Sequence, residues 1–190
     1  DAIDTLKNGK SSAKREGYLM ELVIERLTGV AAEHFVSGPM EWGTANEPLA
    51  RMAYESLTGA MVLVPGFIHH QTIPLVGGSP DGFVGEDGMV EFKCPTSPTH
   101  VKTVLRGDYG DHLPQIQGLL WITGRKWADF VSFDPRMPDG LQIYVHRIER
   151  DEAYIAELAA AVLNFNAEVA AMHQELVEIA DKNATPAPAE

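Results

Sequence analysis

The sequence predicts an α/β domain with a central mixed sheet flanked by helices. The main observation is the order of the patterns along the chain: two helices, several short strands, a helix, two strands and a final helix. The length of 190 residues is sufficient for one domain with a sizeable core. Hydrophobic residues make up 45% and charged residues 22%, as in ordinary globular proteins. We therefore expect one domain over residues 1–183 and a disordered tail at 184–190.

The first third of the chain contains two helical patterns. Residues 12–27 carry an apolar stripe at helical spacing, and Gly29 follows it as a stop signal. Residues 39–57 form the second pattern, which ends before Gly59 and places small residues beside Glu47 on one face. The elements expected after these helices are strands at 61–67 and 70–75, a hairpin at 82–93, helices at 99–105 and 113–122, strands at 127–133 and 141–148, and a helix from Asp151 to about residue 181.

The hairpin is expected to bring three polar residues to one place. Glu91 and Lys93 are two residues apart on a strand and therefore share a face. A two-residue turn at 87–88 would put Asp81 on the opposite face. A three-residue loop at 86–88, with Gly88 in the left-handed conformation, pairs Asp81 with Lys93 and makes all three converge. The chemistry favours this loop, or a kink at Pro80.

Two acids and a lysine at this spacing form the PD-(D/E)xK signature of metal-dependent phosphodiesterases. Asp81 and Glu91 offer the hard oxygen ligands that Mg²⁺ prefers, with Mn²⁺ as a substitute. Lys93 offers a cation beside a phosphate or an attacking water. The alternative is a solvated acidic hairpin with a surface salt bridge, which the hairpin alone would favour.

The net charge of −12 limits how the protein could contact nucleic acid. Residues 151–190 contain eight acids and one lysine, whereas residues 1–150 contain nineteen acids and fourteen bases. The bases occur in clusters, one of which contains Lys14 and Arg15. We therefore expect DNA to be contacted locally, in a lined channel.

The cysteine content and the hydropathy of the sequence are those expected of a cytoplasmic protein. Cys94 is the single cysteine, which excludes an internal disulfide and a cysteine-based metal cluster and suits a reducing cytoplasm. We expect no apolar run as long as a membrane span, no signal peptide and no membrane partner.

Five motifs in this order resemble the lambda exonuclease family, also called YqaJ-type viral recombinases. The resemblance covers roughly residues 12–170, and the combination is more specific than any single motif. The motifs are GTANEPLAR at 43–51, SPDG at 79–82, EFKCP at 91–95, QIQ at 115–117 and FDPRM at 133–137. The resemblance implies a restriction-endonuclease-like nuclease domain. It also implies an Mg²⁺-dependent exonuclease of phage or prophage origin that degrades the 5′-ended strand at ends of double-stranded DNA, forms a homotrimer and works with a single-strand annealing protein.

The resemblance also implies roles for individual residues. Asp81 and Glu91 would be metal ligands, Phe92 would add its backbone carbonyl, and Lys93 would be the catalytic lysine. Further candidates are Gln115 to position water or substrate, Glu47 as the helical glutamate of the active site, and Ser79 near the terminal 5′-phosphate. The family holds this phosphate with an upstream Arg and Ser element. Either that element lies outside this sequence, or Lys14 and Arg15 substitute for it.

Several of these residues also have structural interpretations. Glu47 and Arg51 form an i,i+4 pair of the kind that stabilises any exposed helix. Gln115 and Gln117 cannot both face one cleft, so we expect one of them to be solvated. His112 could face the cleft, but a polar cap of the following helix is the favoured interpretation.

The predicted mechanism is two-metal phosphodiester hydrolysis. Asp81 would bridge two ions, and Glu91 and the carbonyl of Phe92 would complete one site. The alternatives are another endonuclease or end-processing nuclease of the same core, or a non-catalytic protein that binds DNA ends.

Overall fold

The computed structural model describes residue 3, residues 12–32 and residues 37–184. The chain divides into two compact units, each of which is described by itself. The first unit consists of Asp1–Phe35 and Ala156–Glu190, and the second unit is Val36–Ile155. The prediction of one domain over residues 1–183 stays a prediction.

The second unit contains the sheets. Its helices are α2 (Gly38–Thr58), α3 (Ser97–Arg106), a 3-10 turn (Gly110–His112) and α4 (Leu113–Thr123). Its strands are β1 (Val62–Leu63), β2 (Ile68–His69), β3 (Gly77–Gly78), β4 (Gly82–Val84), β5 (Gly88–Lys93), β6 (Trp127–Phe133) and β7 (Ile143–Glu149).

Five strands form a mixed sheet in the order β1-β4-β5-β6-β7. Strands β5 and β6 are parallel, and the other neighbours are antiparallel. Strands β2 and β3 pair with each other in a separate two-stranded sheet. Because β5 and β6 run in the same direction, their carboxyl ends lie at one edge of the sheet, where Lys93 and Asp134 occur.

Helices cover both faces of the sheet. Residues of α2, among them Ala50 and Tyr54, pack on one face against Val90 and Phe92. On the other face, α4 packs against Met89, Ala128 and Phe130 with the residues Ile116, Leu119 and Leu120. The central mixed sheet flanked by helices that the sequence predicts is thus confirmed.

The first unit contains α1 (Ala13–Thr28), which packs against the long helix α5 (Glu152–Ala184). The buried contacts between these helices are made by Leu19, Val23, Phe165 and Val169. The side chain of Ser12 caps α1 by accepting a hydrogen bond from the Arg15 backbone N–H at 3.1 Å. The helix ends at Gly29, whose φ of 69° is favourable for glycine.

Helix α5 differs from the expectation that no segment is as apolar as a membrane span. By length and composition alone it could cross a membrane, since an 18-residue window has a mean hydropathy of 1.3, and 22% of that window is buried. Core helices of soluble proteins meet the same criterion, so this is weak evidence for a membrane span. Residue 184 is the last residue of α5, and the rest of the predicted tail lies outside the described residues.

The largest error in the predicted elements concerns residues 61–75. The expected strands 61–67 and 70–75 are replaced by the two-residue strands β1 and β2 and by turns. The sequence pattern did not show that Gly77 and Gly78 would pair with β2. A Cβ atom at Gly77 would lie 2.5 Å from the Phe67 ring, so only glycine permits this close approach.

Candidate active site

The β4–β5 hairpin positions the candidate acids. Gly82 pairs with Val90 and Val84 pairs with Gly88, which leaves a three-residue loop at 85–87. The predicted loop length is confirmed, but its position is wrong, because Gly85 has the positive φ of 57° and Gly88 does not. Continuing this register places Asp81 opposite Glu91, two positions from the predicted partner. A shift of two residues preserves the face of a strand, so Asp81 still lies on the face of Glu91.

Two glycines are required by packing in this hairpin. A Cβ atom at Gly82 would lie 2.2 Å from a methyl carbon of Val62, and one at Gly88 would lie 2.0 Å from the Trp127 ring. Gly82 therefore allows β1 to pack closely beside the strand that follows Asp81. The glycine signal at position 88 reflects contact with Trp127 and not turn geometry.

Asp81 and Glu91 are held by different contacts. Asp81 Oδ2 accepts a hydrogen bond from the Phe92 backbone N–H at 2.7 Å. Glu91 is only 1% exposed, and its Oε1 accepts hydrogen bonds from Lys93 Nζ at 2.7 Å and from Gln115 Nε2. The structure therefore brings Asp81, Glu91, Lys93 and Gln115 together.

The surroundings disfavour negative charge on both acids. Burial and the neighbouring charge of Glu91 raise the pKa of Asp81 to about 7. Burial also raises the pKa of Glu91, although Lys93 opposes this shift. The charge of Glu47 contributes to the raised pKa of both acids, so exposed Glu47 on α2 lies near enough to act on them.

One oxygen of Glu91 has an incomplete environment. Oε2 is buried, and no hydrogen-bond donor among the described residues reaches it. In that same part of the chain, no group of three or more His, Cys, Asp or Glu side chains is arranged to hold a metal ion. A divalent cation would nevertheless fit the two carboxylates, because it would contact the unpartnered oxygen and offset their repulsion. The carbonyl of Phe92 is the further candidate donor.

The comparisons with known proteins agree with this arrangement. The sequence matches the YqaJ-like viral recombinase domain over residues 2–126. The chain belongs to this family. The match confirms the resemblance that the five motifs indicated, and it supports a phage-type nuclease that acts on DNA.

Solved structures extend the comparison to the whole fold. An alkaline exonuclease, LHK-Exo from Laribacter hongkongensis, is 41% identical with a TM-score of 0.88, and the match covers 96% of this chain and 91% of that one. The same exonuclease in complex with dAMP is 42% identical with a TM-score of 0.87, covering 92% and 89% of the two chains. A phage-related exonuclease from Haemophilus somnus, at 18% identity and a TM-score of 0.67, shares the fold over 94% of this chain and 92% of its own. None of the proteins with curated functions is significantly similar in sequence.

The predicted phosphate-binding residues of this family member lie in both units. Ser79 is exposed and immediately precedes the buried Pro80 in the second unit. Lys14 and Arg15 lie on α1 in the first unit. There, the Arg15 guanidinium donates two hydrogen bonds to Glu168, at 2.8 and 2.9 Å. Arg15 is therefore engaged in an ion pair, which weakens its candidacy as a phosphate ligand.

The two glutamines of α4 divide as expected, because one of them, Gln115, is exposed. Gln117 is 2% exposed, with Nε2 donating to the Glu149 carbonyl at 2.8 Å and Oε1 accepting from the Asp151 N–H at 3.0 Å. His112 does not cap α4 through its side chain, and its ring stacks on Phe130 with centroids 5.4 Å apart. The sequence signal for His112 was its place directly before the helix that carries Gln115.

Proposed function

We propose that the protein is an Mg²⁺-dependent exonuclease that degrades one strand of linear double-stranded DNA from 5′ to 3′ by two-metal hydrolysis. The proposal depends on one observation: the half-buried Asp81 and the buried Glu91, both with raised pKa values, lie beside a lysine, and one Glu91 oxygen has no hydrogen-bond partner among the described residues. Buried polar groups are normally satisfied, and exceptions occur at functional sites. This environment argues against the solvated salt bridge that the hairpin sequence alone would allow.

Each residue of the site has a proposed role. Asp81, Glu91 and the Phe92 carbonyl would hold Mg²⁺, or Mn²⁺ in its place. When bound, the cation would lower the pKa of a water molecule and stabilise charge on phosphate oxygens. Lys93, which donates to Glu91 at 2.7 Å, would orient the nucleophile and offset developing negative charge.

Two further residues would adjust this centre. Gln115 donates to Glu91 Oε1 and is also exposed, so it can fix the carboxylate and still reach a water molecule or the substrate. Glu47 would increase the negative potential that attracts the cation, because its charge acts on both acids. We propose that Ser79 contacts the terminal 5′-phosphate, with help from nearby cations.

The comparisons support the exonuclease class. The 41% identical relative is described as an alkaline exonuclease, and it has been crystallised with dAMP, a nucleoside monophosphate. By family resemblance we also propose a homotrimer, a single-strand annealing protein as partner, and a role in phage-type recombination in the bacterial cytoplasm. Light scattering at micromolar concentration should give the mass of three chains, and a monomer would contradict the assembly.

The decisive experiment compares linear and closed-circular double-stranded DNA incubated with the purified protein and Mg²⁺. We expect the linear DNA to be degraded and the circular DNA to remain intact. Asp81→Asn should remove this activity, whereas Asp87→Asn should retain it. Asp87 is the matched control because it is an exposed acid in the loop of the same hairpin, paired with Lys126. Cleavage of the circle would indicate an endonuclease, and binding of ends without degradation would indicate a non-catalytic protein.

Polarity is tested with a linear duplex labelled separately on each strand. The 5′-ended strand should be lost and the 3′-ended strand should survive, with a 5′-phosphate favouring degradation over a 5′-hydroxyl. Contact with the phosphate is expected to contribute about a tenfold rate effect, as for a charge-assisted hydrogen bond formed in the transition state. Loss of the 3′-ended strand would reverse the proposed orientation of the DNA.

A further inference from the structure

A small cavity of about 100 Å³ opens beside Lys93 in the second unit. Strands β5 and β6 form one wall, to which Lys93, Phe130 and Ser132 contribute. Helix α3 and the loop that leads into the 3-10 turn form the others, so the cavity lies on the sheet face that carries Glu91. The residues of these remaining walls include Thr99, Lys102, Thr103, Tyr109 and His112.

Several polar groups in the walls are already hydrogen-bonded. Ser132 Oγ lies 2.8 Å from Nδ1 of the buried His100, and Thr103 Oγ1 bonds the carbonyls of Thr99 and Asp108 at 3.2 Å. In contrast, the Lys102 ammonium has no ion pair or hydrogen bond within the described residues. The same holds for the ring nitrogens of His112.

The position of the His112 ring is fixed without a hydrogen bond. The ring stacks on Phe130 and is half-buried. Burial and the charge of Lys93 lower the pKa of His112, so the imidazole is mainly neutral near pH 7 and retains one donor and one acceptor nitrogen. The influence of Lys93 also shows that His112 lies near the candidate catalytic lysine.

Size and charge restrict the ligand. Pockets for complete drug-sized ligands have volumes of about 300–1,000 Å³, so this cavity cannot enclose a nucleoside. Its volume suits one phosphate group. Lys93 and Lys102 supply two cations, while the exposed Asp108 in the loop and the exposed Asp111 in the 3-10 turn also belong to the lining. A phosphate would give the free donors of Lys102 and His112 the acceptors that they lack.

We propose that this cavity is a second phosphate subsite, in which Lys102 and His112 bind a backbone phosphate of the DNA strand that lies along Lys93. This inference rests on the proposed nuclease function and specifies how the same site holds its substrate. Ser79, the candidate ligand of the terminal phosphate, does not line the cavity. The two phosphates would therefore be separate contacts that together fix the strand beside Asp81 and Glu91.

The test measures binding of a short linear duplex by fluorescence anisotropy in EDTA, which removes any contribution from a metal ion. Lys102→Ala should weaken binding about fivefold and reduce the slope of log affinity against log salt by about one. His112→Phe retains an aromatic ring on Phe130 but loses both nitrogens, and it should weaken binding about threefold with an unchanged salt slope. Arg106→Ala is the control, because it removes the same charge from α3 outside the cavity.

Equal losses of affinity for Lys102→Ala and Arg106→Ala would overturn the inference, because they would show that only general charge matters. Binding in EDTA does not depend on catalysis. The subsite could therefore be absent from an active nuclease, and it could equally be present in a protein without nuclease activity. Competition by inorganic phosphate or by a deoxynucleoside monophosphate identifies the source of the phosphate. Competition that weakens in Lys102→Ala would show that the subsite also takes free monoesters, and its absence would restrict the subsite to the strand.

Discussion

Two groups of acids, in or beside neighbouring strands of one sheet, have opposite surroundings. On β6 and just after it, Asp129 and Asp134 are 3% and 0% exposed, and both oxygens of each accept hydrogen bonds. Asp129 accepts hydrogen bonds from the Arg147 guanidinium at 2.9 Å and from the Tyr54 hydroxyl at 2.7 Å. On β5, Glu91 is 1% exposed, and just before β4, Asp81 is half-buried. These two acids repel each other, and one oxygen of Glu91 has no donor among the described residues.

The difference separates structural acids from candidate functional ones. Hydrogen bonds from the Arg136 side chain lower the pKa of Asp134, so its charge is stabilised within the fold. The pKa of Asp81 is instead raised, because burial and a second carboxylate oppose its charge. A buried acid whose two oxygens are both hydrogen-bonded stabilises the fold. A pair of acids that lacks such partners needs a further ligand, and a cation is suited to that position.

The largest expected effect is on activity at the incompletely bonded pair. Glu91→Gln should reduce DNA degradation roughly a thousandfold, because it removes a candidate cation ligand. The unfolding free energy without metal should be unchanged or higher, because a neutral amide removes the repulsion with Asp81. Degradation assays and urea denaturation in EDTA measure the two effects. A large loss of stability would show that Glu91 is a structural acid like Asp129.

The opposite result is expected at Asp129. Asp129→Ala should lower the unfolding free energy by about 2–4 kcal/mol, because it removes the partners of Tyr54 and Arg147. Activity per folded molecule should be retained. Urea denaturation followed by circular dichroism measures the loss. A loss of activity with unchanged stability would contradict this interpretation, because it would show that Asp129 is a functional acid and not a structural one.

The pH dependence of stability without metal should reflect the raised pKa of Asp81. The folded protein binds the Asp81 proton more tightly than the unfolded chain does, since the pKa rises from 3.8 to about 7. The resulting stabilisation is complete below about pH 4 and is lost as the pH rises through 7. The loss should be on the order of 2 kcal/mol, because one pKa unit corresponds to about 1.4 kcal/mol and solvent reaches part of the site. Denaturation at several pH values in EDTA should show this slope, and Asp81→Asn should flatten it.

The smallest effects concern the two glutamines of α4, which repeat the contrast on one helix. Gln117→Leu should lower the unfolding free energy by about 1–2 kcal/mol, because it leaves the Glu149 carbonyl and the Asp151 N–H without their partner. Its specific activity should be retained. Gln115→Leu should instead reduce activity about tenfold with little change in stability, because its contact is with Glu91. Thermal unfolding and degradation assays on the same samples distinguish the two outcomes, and identical behaviour of the two variants would remove the contrast.

The fold class and the candidate residues of the site could both be predicted from the sequence. Helix boundaries followed from apolar spacing and from stop signals such as Gly29 and Gly59, and the observed helices agree with them closely. The strand 127–133 was predicted with its observed bounds. The convergence of Asp81, Glu91 and Lys93 could also be predicted, because the alternation of side chains along a strand is insensitive to a register shift of two residues.

Features that depend on contacts between distant parts of the chain could be read only from the folded structure. The pairing of β2 with Gly77 and Gly78, the burial of Gln117 and the stacking of His112 on Phe130 involve partners that no local pattern identifies. The same holds for the Glu91 oxygen that no donor among the described residues reaches. Its state depends on which donors the folded chain places around it, whereas the sequence specifies only that a carboxylate is present.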